Sequence, residues 1–169
     1  MRWSTRNIQQ SPDDPAFGDP TKPIGPFYRT AEARALERDR GWQLVEDSGR
    51  GFRRVVPSPR PLDVVELESI RALVATGAIV VACGGGGIPV VSRNGHLKGV
   101  DAVIDKDRAS TLLATRLGAD RLVILTAVPA VYRNYRKSNQ QELRELSATD
   151  AEELLPGLAE GSMRPKVES

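Results

Sequence analysis

The chain has 169 residues, a formal net charge of +2 and a single cysteine. That length is enough for one domain with a sizeable core, and so even a charge balance sets up no global field to draw nucleic acid or a membrane surface. The apolar runs are far shorter than a bilayer span, the first ten residues lack a signal-peptide core, and Cys83 alone excludes an internal disulfide framework, so a cytoplasmic protein is expected.

Residues 1–19 are polar, carry Pro12 and Pro15 and show no sustained period; an extended or disordered leader is expected. Thr21 to Pro61 is rich in Pro, Gly and Arg. A helix fits Thr30 to Arg40 with Thr30 as cap, and Trp42–Val45 with Phe52–Val56 reads as a hairpin around Ser48-Gly49-Arg50-Gly51. Arg50, Arg53 and Arg54 raise a basic RNA-binding patch as a rival, which the neighbouring Glu46 and Asp47 demote. From Asp63 to Thr76, Val64, Leu67, Ile70 and Val74 share one helical face, Asp63 with Glu66 makes a cap, and Gly77 stops the helix.

Ala78 to Cys83 is apolar and β-branched, the pattern of a buried parallel strand. Gly84, Gly85, Gly86 and Gly87 follow, a loop whose backbone N–H groups can approach an anion. Pro89 or Val90 stands where a dinucleotide fingerprint needs its last glycine, and no Gly-Lys-Ser/Thr follows, so neither common phosphate-loop pattern is present. A plain glycine turn is the competing reading. Asn94-Gly95 predicts a hairpin between Pro89–Ser92 and His96–Val100. Asp107 is read as the cap of a helix to Leu117, stopped by Gly118, with Lys106 at its entrance. The sole histidine, His96, has no partner for a zinc-type site, and Cys83 has no evident base, which makes it a core residue. Leu122–Leu125 reads as a second buried strand, Leu143–Leu146 as a short strand, and Thr149 with Glu152 opens a helix ended by Pro156-Gly157.

The wording of these blocks carries more than their pattern. CGGGGIPVV at 83–91, KGVDAVIDKD at 98–107 and LVILTAV at 122–128 closely resemble the carbamate kinases of the amino-acid kinase family. The resemblance reaches DPTKPIGPF and EDSGRGFRRVVPSPRP upstream and GSMRPKVE downstream, in the family's order, from Asp14 to Glu168. It implies an α/β chain with a partial amino-acid kinase fold, a mainly parallel sheet flanked by helices. It divides the chain into the leader, a protruding lid-like subdomain at 20–61 and a partial nucleotide-binding α/β domain at 62–169.

The implied activity is reversible phosphoryl exchange between ATP and carbamate, giving ADP and carbamoyl phosphate, in arginine catabolism, with Mg²⁺ accompanying the nucleotide. By that resemblance Lys22, Lys106 and Lys166 face the phosphates and the transferred group, and Asp105 and Asp107 orient the lysines. Gly84 to Gly87 would supply N–H groups, and Thr126, Val128, Val131, Tyr132 and Met163 would line the nucleotide pocket. Packing without a ligand explains Val128, Val131 and Tyr132 equally well. Pro129 replaces a residue that is commonly acidic in the family, whose members form homodimers.

Two departures set further expectations. TRNIQQS does not resemble the family's strand before DPAF, and the family's Gly-Gly-Asn phosphate loop does not occur. A fragment is expected, with an unpaired sheet edge prone to association, and a catalytically inactive nucleotide-binding remnant is the alternative to a working kinase. The last block starts a helix in the family; here Ser169 leaves too few residues to nucleate one, so Lys166 is expected to be mobile.

Overall fold

The computed structural model describes residues 6–47, 49–158 and 163–169. Ser48, Gly161 and Ser162, expected in a turn and at a helix start, lie outside them. In chain order the described elements are β1 (Asn7–Gln10), β2 (Lys22–Tyr28), α1 (Thr30–Arg40), β3 (Gln43–Glu46), β4 (Phe52–Val56) and β5 (Asp63–Val64). There follow α2 (Leu67–Ala75), β6 (Ile88–Arg93), β7 (His96–Gly99), α3 (Lys106–Leu117), β8 (Val131–Arg133), β9 (Gln141–Leu143), α4 (Ala148–Leu154) and α5 (Met163–Glu168).

Far from being a loose leader, β1 lies inside a four-stranded sheet of order β5-β1-β6-β7. It runs parallel to β6, with Ile8 opposite Pro89, and antiparallel to β5, with Ile8 opposite Val64. Ile8, Val64, Ile70, Cys83, Ile104 and Ala109 form the buried core cluster, which α2 and α3 help to cover. The class is α/β as expected. Among the described residues, however, β1 with β6 is the one parallel pairing, since β6–β7, β2–β4, β3–β4, β8–β9 and β1–β5 are antiparallel.

The shortfall in parallel strands comes from the two apolar runs. Residues 78–83 and 121–126 are neither strand nor helix, and Ile79 and Leu125 are about 90 % exposed (91 % and 90 %). A β-branched run becomes a strand only where another strand satisfies its N–H and C=O groups, and none of the described strands lies alongside.

β2, β4 and β3 make a separate three-stranded sheet in that order, with α1 beside it. Helix α1 has the expected span, but Arg29 precedes it as cap, its N–H donating to Glu32 Oε2 at 3.1 Å; Gly41 at φ 62° ends it. The expected hairpin forms as β3 and β4. Its arginines are committed internally: Arg50 and Arg53 stack over Phe27 and reach Asp47, and Arg54 lies over Trp42 at 4.5 Å.

Tertiary partners moved several boundaries. Val64 is drawn into pairing with β1, and the Glu66 carboxylate accepts from Asn7 N and Nδ2 instead of capping its own helix, so α2 begins at Leu67. The Asn94-Gly95 hairpin forms as β6–β7. The short strand lies at Gln141–Leu143, before the expected span, because it pairs with Val131–Arg133. Ser147 and Asp150, not Thr149 and Glu152, make the capping box of α4. Most informative is α5. It is helical despite its few residues, with Pro165 buried and Glu168 bonded to Arg108 at 2.6 Å and Arg164 at 3.1 Å. Packing onto α3 offsets the nucleation cost that a free terminus would face.

Candidate functional site

The site grows from the entrance of α3. Asp105, not Asp107, is the N-cap: its Oδ1 accepts from the N–H groups of Asp107 at 2.9 Å and Arg108 at 3.4 Å. Those two donors are therefore taken, and an incoming anion meets the helix dipole and the Lys106 side chain instead. The other carboxylate oxygen of Asp105 receives Lys22 Nζ, from the start of β2, at 2.5 Å. Burial works against the charged form of Asp105, but Lys22 and the two backbone N–H groups outweigh it and hold the group below its ordinary value of 3.8. On the other side of the entrance, Lys166 Nζ of α5 donates to Asp107 Oδ2 at 2.7 Å.

Three lysines and two buried carboxylates thus converge on one helix end. Lys22 and Lys166 are each paired with an aspartate, and the helical, paired Lys166 corrects the expectation of a mobile one. Lys106, between them, is exposed and has no ion-pair partner among the described residues. It is the free ammonium of the set.

The four glycines divide into two pairs. Gly84 and Gly85 are exposed, with open space where a side chain would stand. Gly86 is buried at φ 138°, and a Cβ there would overlap the Ile104 carbonyl, two residues before Lys106. Gly87, at φ 99°, backs onto Arg6 O and Ile8. The second pair is a packing requirement that seats the loop beside the α3 entrance, and the first pair is what faces outward. The thiol of Cys83, just before the loop, is buried and pushed up by that burial, consistent with a core residue.

Two cavities adjoin this entrance. One, of about 400 Å³, is lined by the charged residues Lys22, Asp105, Arg60, Arg108, Arg164 and Glu168 together with Pro15, Ala16 and Pro165. Arg108 and then Arg164 and Arg60 overcome the cost of burying Glu168 and keep its carboxyl below its ordinary 4.5. The other, of about 470 Å³, is lined by Thr126, Val128, Tyr132, Tyr135, Met163 and Lys166. Four of the five residues expected to line a nucleotide pocket meet there; Val131 lines an adjacent cavity that shares Thr126 and Met163. Gly84 to Gly87 line neither of the two. Sequence reasoning missed Asn134, Tyr135 and Lys137 in the apolar cavity. Asn134 and Arg136 at positive φ mark a tight turn that folds the Tyr135 ring to 5.6 Å from that of Tyr132, a signal the polar sequence alone hides.

Among the described residues no group of three or more Asp, Glu, His or Cys could hold a metal ion, and the two aspartates at the entrance are committed to lysines. Among the described residues no helix is long and apolar enough to cross a membrane.

A helix entrance bearing three lysines thus lies between a cavity lined by many charged side chains and a part-apolar one, on an α/β body. The chain belongs to the amino acid kinase family, whose sequence model matches residues 28–169. Curated relatives are carbamate kinases: that of Staphylococcus haemolyticus is 52 % identical over 164 residues, covering 96 % of this chain and 53 % of the relative. That of Clostridium perfringens is 50 % identical over 167 residues, with 98 % and 53 % covered. Among solved structures, the carbamate kinase of Giardia lamblia bound to citric acid superposes with a TM-score of 0.87 at 43 % identity, covering 98 % of this chain and 52 % of that one. The same enzyme bound to AMP-PNP gives 0.81 at 44 % identity, with 98 % and 53 % covered. The chain spans about half the length of the curated relatives it matches.

Proposed function

We propose that this chain carries part of the active site of a cytoplasmic carbamate kinase-type phosphotransferase, exchanging a phosphoryl group between ATP and carbamate. The observation that carries this reading is the Lys22–Asp105, Lys106, Asp107–Lys166 array between two cavities. The nucleoside fits the Tyr132–Tyr135 cavity, with Lys166 at its rim toward the phosphates. Carbamate, small and anionic, fits the polar side at Lys22. Lys106 then faces the γ-phosphoryl group between them, with Gly84 and Gly85 beside it. A carbamate oxygen forms the new P–O bond as the bond to ADP breaks, and the reverse reaction makes ATP, the direction arginine catabolism would use. No covalent nucleophile is required; alignment and charge neutralisation do the chemistry.

Residues 20–61 act in this reading as a lid over the α/β domain 62–169. The Lys22–Val56 pairing sits at the subdomain's base, so lid movement would carry Lys22 relative to Asp105. The active species is a homodimer, as in the family it resembles.

Titration with Mg–ADP, run beside a coupled assay for ATP formation from carbamoyl phosphate, tests the reading. Binding and turnover are expected, with Lys106→Ala lowering turnover by about 10²–10³-fold and leaving thermal stability unchanged, because the side chain is exposed. Turnover that survives Lys106→Ala refutes the role given to it. One observation favours a second reading, a nucleotide-binding unit without turnover: two of the three lysines are already neutralised by aspartates, leaving one free ammonium for the transferred group. Mg–ADP binding with no ATP formation supports that reading.

A further inference from the structure

Helix α5 is a wall between the two cavities that flank the α3 entrance. Its Met163 and Lys166, about one turn apart, line the Tyr132–Tyr135 cavity, while Arg164, Pro165 and Glu168 line the cavity at Lys22. A single helix of six residues therefore serves both cavities, one with each face. So short a helix does not hold its own place in water, and what fastens one face decides what the other face offers.

The face toward Lys22 is fastened at Glu168. Its Oε2 accepts from Arg108 Nη2 at 2.6 Å and Nε at 3.1 Å, and its Oε1 from Arg164 Nε at 3.1 Å, with Arg60 Nη2 at 4.0 Å from that second oxygen. The Glu168 side chain is 11 % exposed and that of Arg108 25 %, so water and salt screen the pair weakly. On the other face Lys166 Nζ donates to Asp107 Oδ2 at 2.7 Å. Each helix thus brings one cation and one anion: Asp107 and Arg108 from α3, Lys166 and Glu168 from α5. The alternative seating, Lys166 against Arg108 or Glu168 against Asp107, sets like charges together, so the order of charges selects one register. Burial of Pro165 anchors the helix but has no direction of its own.

We infer that Arg108 is a positioning residue for nucleotide binding. Through Glu168 it sets how α5 is seated, and with it the place of the Lys166 ammonium on the rim of the Tyr132–Tyr135 cavity; the role in binding rests on the reading of that cavity as the nucleotide's. Arg108 does not line that cavity, so its effect crosses the helix. Lys106, exposed on the first turn of α3, stands outside the clamp.

The test uses the full 169-residue chain and three variants. Arg108→Met keeps the stem and removes the charge, Glu168→Gln keeps the shape and weakens the acceptor, and Arg108→Lys retains a cation for the one oxygen that both guanidinium N–H groups share. Acetylation rates of individual lysines, read by mass spectrometry, report placement without any ligand. Lys166 should acetylate at least about fivefold faster in Arg108→Met and Glu168→Gln than in the parent, with Lys106 unchanged and Arg108→Lys close to the parent. Calorimetric titration should show Mg–ADP bound about tenfold more weakly by Arg108→Met and nearly as in the parent by Arg108→Lys, while affinity for carbamoyl phosphate stays within about threefold. Circular dichroism separates misplacement from unfolding; if Arg108→Met does not fold, Glu168→Gln carries both measurements. A parent chain that binds no Mg–ADP overturns the nucleotide reading, and acetylation then decides by itself whether the clamp places Lys166. Unchanged acetylation of Lys166, faster acetylation that Arg108→Lys does not reverse, or an affinity loss confined to carbamoyl phosphate would each overturn the inference, the last by making Arg108 a contact of the cavity it lines.

Discussion

The strand β1 and the run 78–83 both touch the same core cluster and differ in what lies along their edges. β1 has β6 on one side and β5 on the other, and its Ile8 is fully buried. The run 78–83 pairs with no strand among the described residues, and its outward side chains meet water. By composition the order should be reversed, since Asn-Ile-Gln-Gln is far more polar than Ala-Ile-Val-Val-Ala-Cys. Strand formation here follows the availability of a backbone partner and not hydrophobicity. The same contrast separates the well-anchored α3 entrance from the bare segment 122–125.

The largest expected effects come from the glycine loop, where a packed pair sits beside an open one. Gly86→Ala combines a left-handed backbone with overlap of the Ile104 carbonyl and should destabilise the chain by about 3–5 kcal/mol. Gly85→Ala meets open space and should stay within about 0.5 kcal/mol, although it narrows the face offered to phosphate. Urea unfolding midpoints of the two variants decide it; equal losses would mean that the loop is not seated on Ile104.

Next is the isoleucine pair. Ile8→Ala removes a fully buried side chain and should cost about 2–5 kcal/mol, whereas Ile79→Ala in the isolated chain should change stability by less than about 0.5 kcal/mol. A large loss at Ile79 would show that its face is covered in solution, by self-association if the loss depends on protein concentration.

The smallest effect is electrostatic. Asp105 and Glu168 have carboxyls held below their ordinary values of 3.8 and 4.5, so the folded chain binds protons less readily than the unfolded one. Their stabilisation is complete above those values and is lost as the pH falls through them and below. Unfolding midpoints measured between pH 7 and 3 should drop at the acid end, and Glu168→Gln should flatten part of that drop. An unchanged profile would deny Glu168 its clamp of arginines.

Much of the local structure was legible because its causes are local. Helix α1 ends at a glycine that can adopt φ 62°, the β6–β7 hairpin turns on Asn94-Gly95, and Gly118 closes α3. The Asp-Lys-Asp entrance and four nucleotide-pocket candidates were also readable, as words of a family. Less legible were features whose cause lies far along the chain. The cap of α3 is Asp105 because Lys22, 83 residues earlier, holds that carboxylate in place. The helix α5 exists because Arg108, 60 residues before Glu168, anchors it. The division of the glycines into packed and open pairs depends on Ile104 and Ile8, which no local pattern announces.

By itself, then, the order of residues determined the α/β class, the helix stops, the two hairpins and the set of lysines and aspartates, since turn geometry, capping and periodicity act over a few residues. Tertiary structure alone decided which apolar runs became strands, which aspartate capped α3 and which lysine stayed free. Each of those outcomes depends on a hydrogen-bond or ion-pair partner brought from elsewhere in the chain, and a backbone or a buried charge takes its final state from the partner that reaches it.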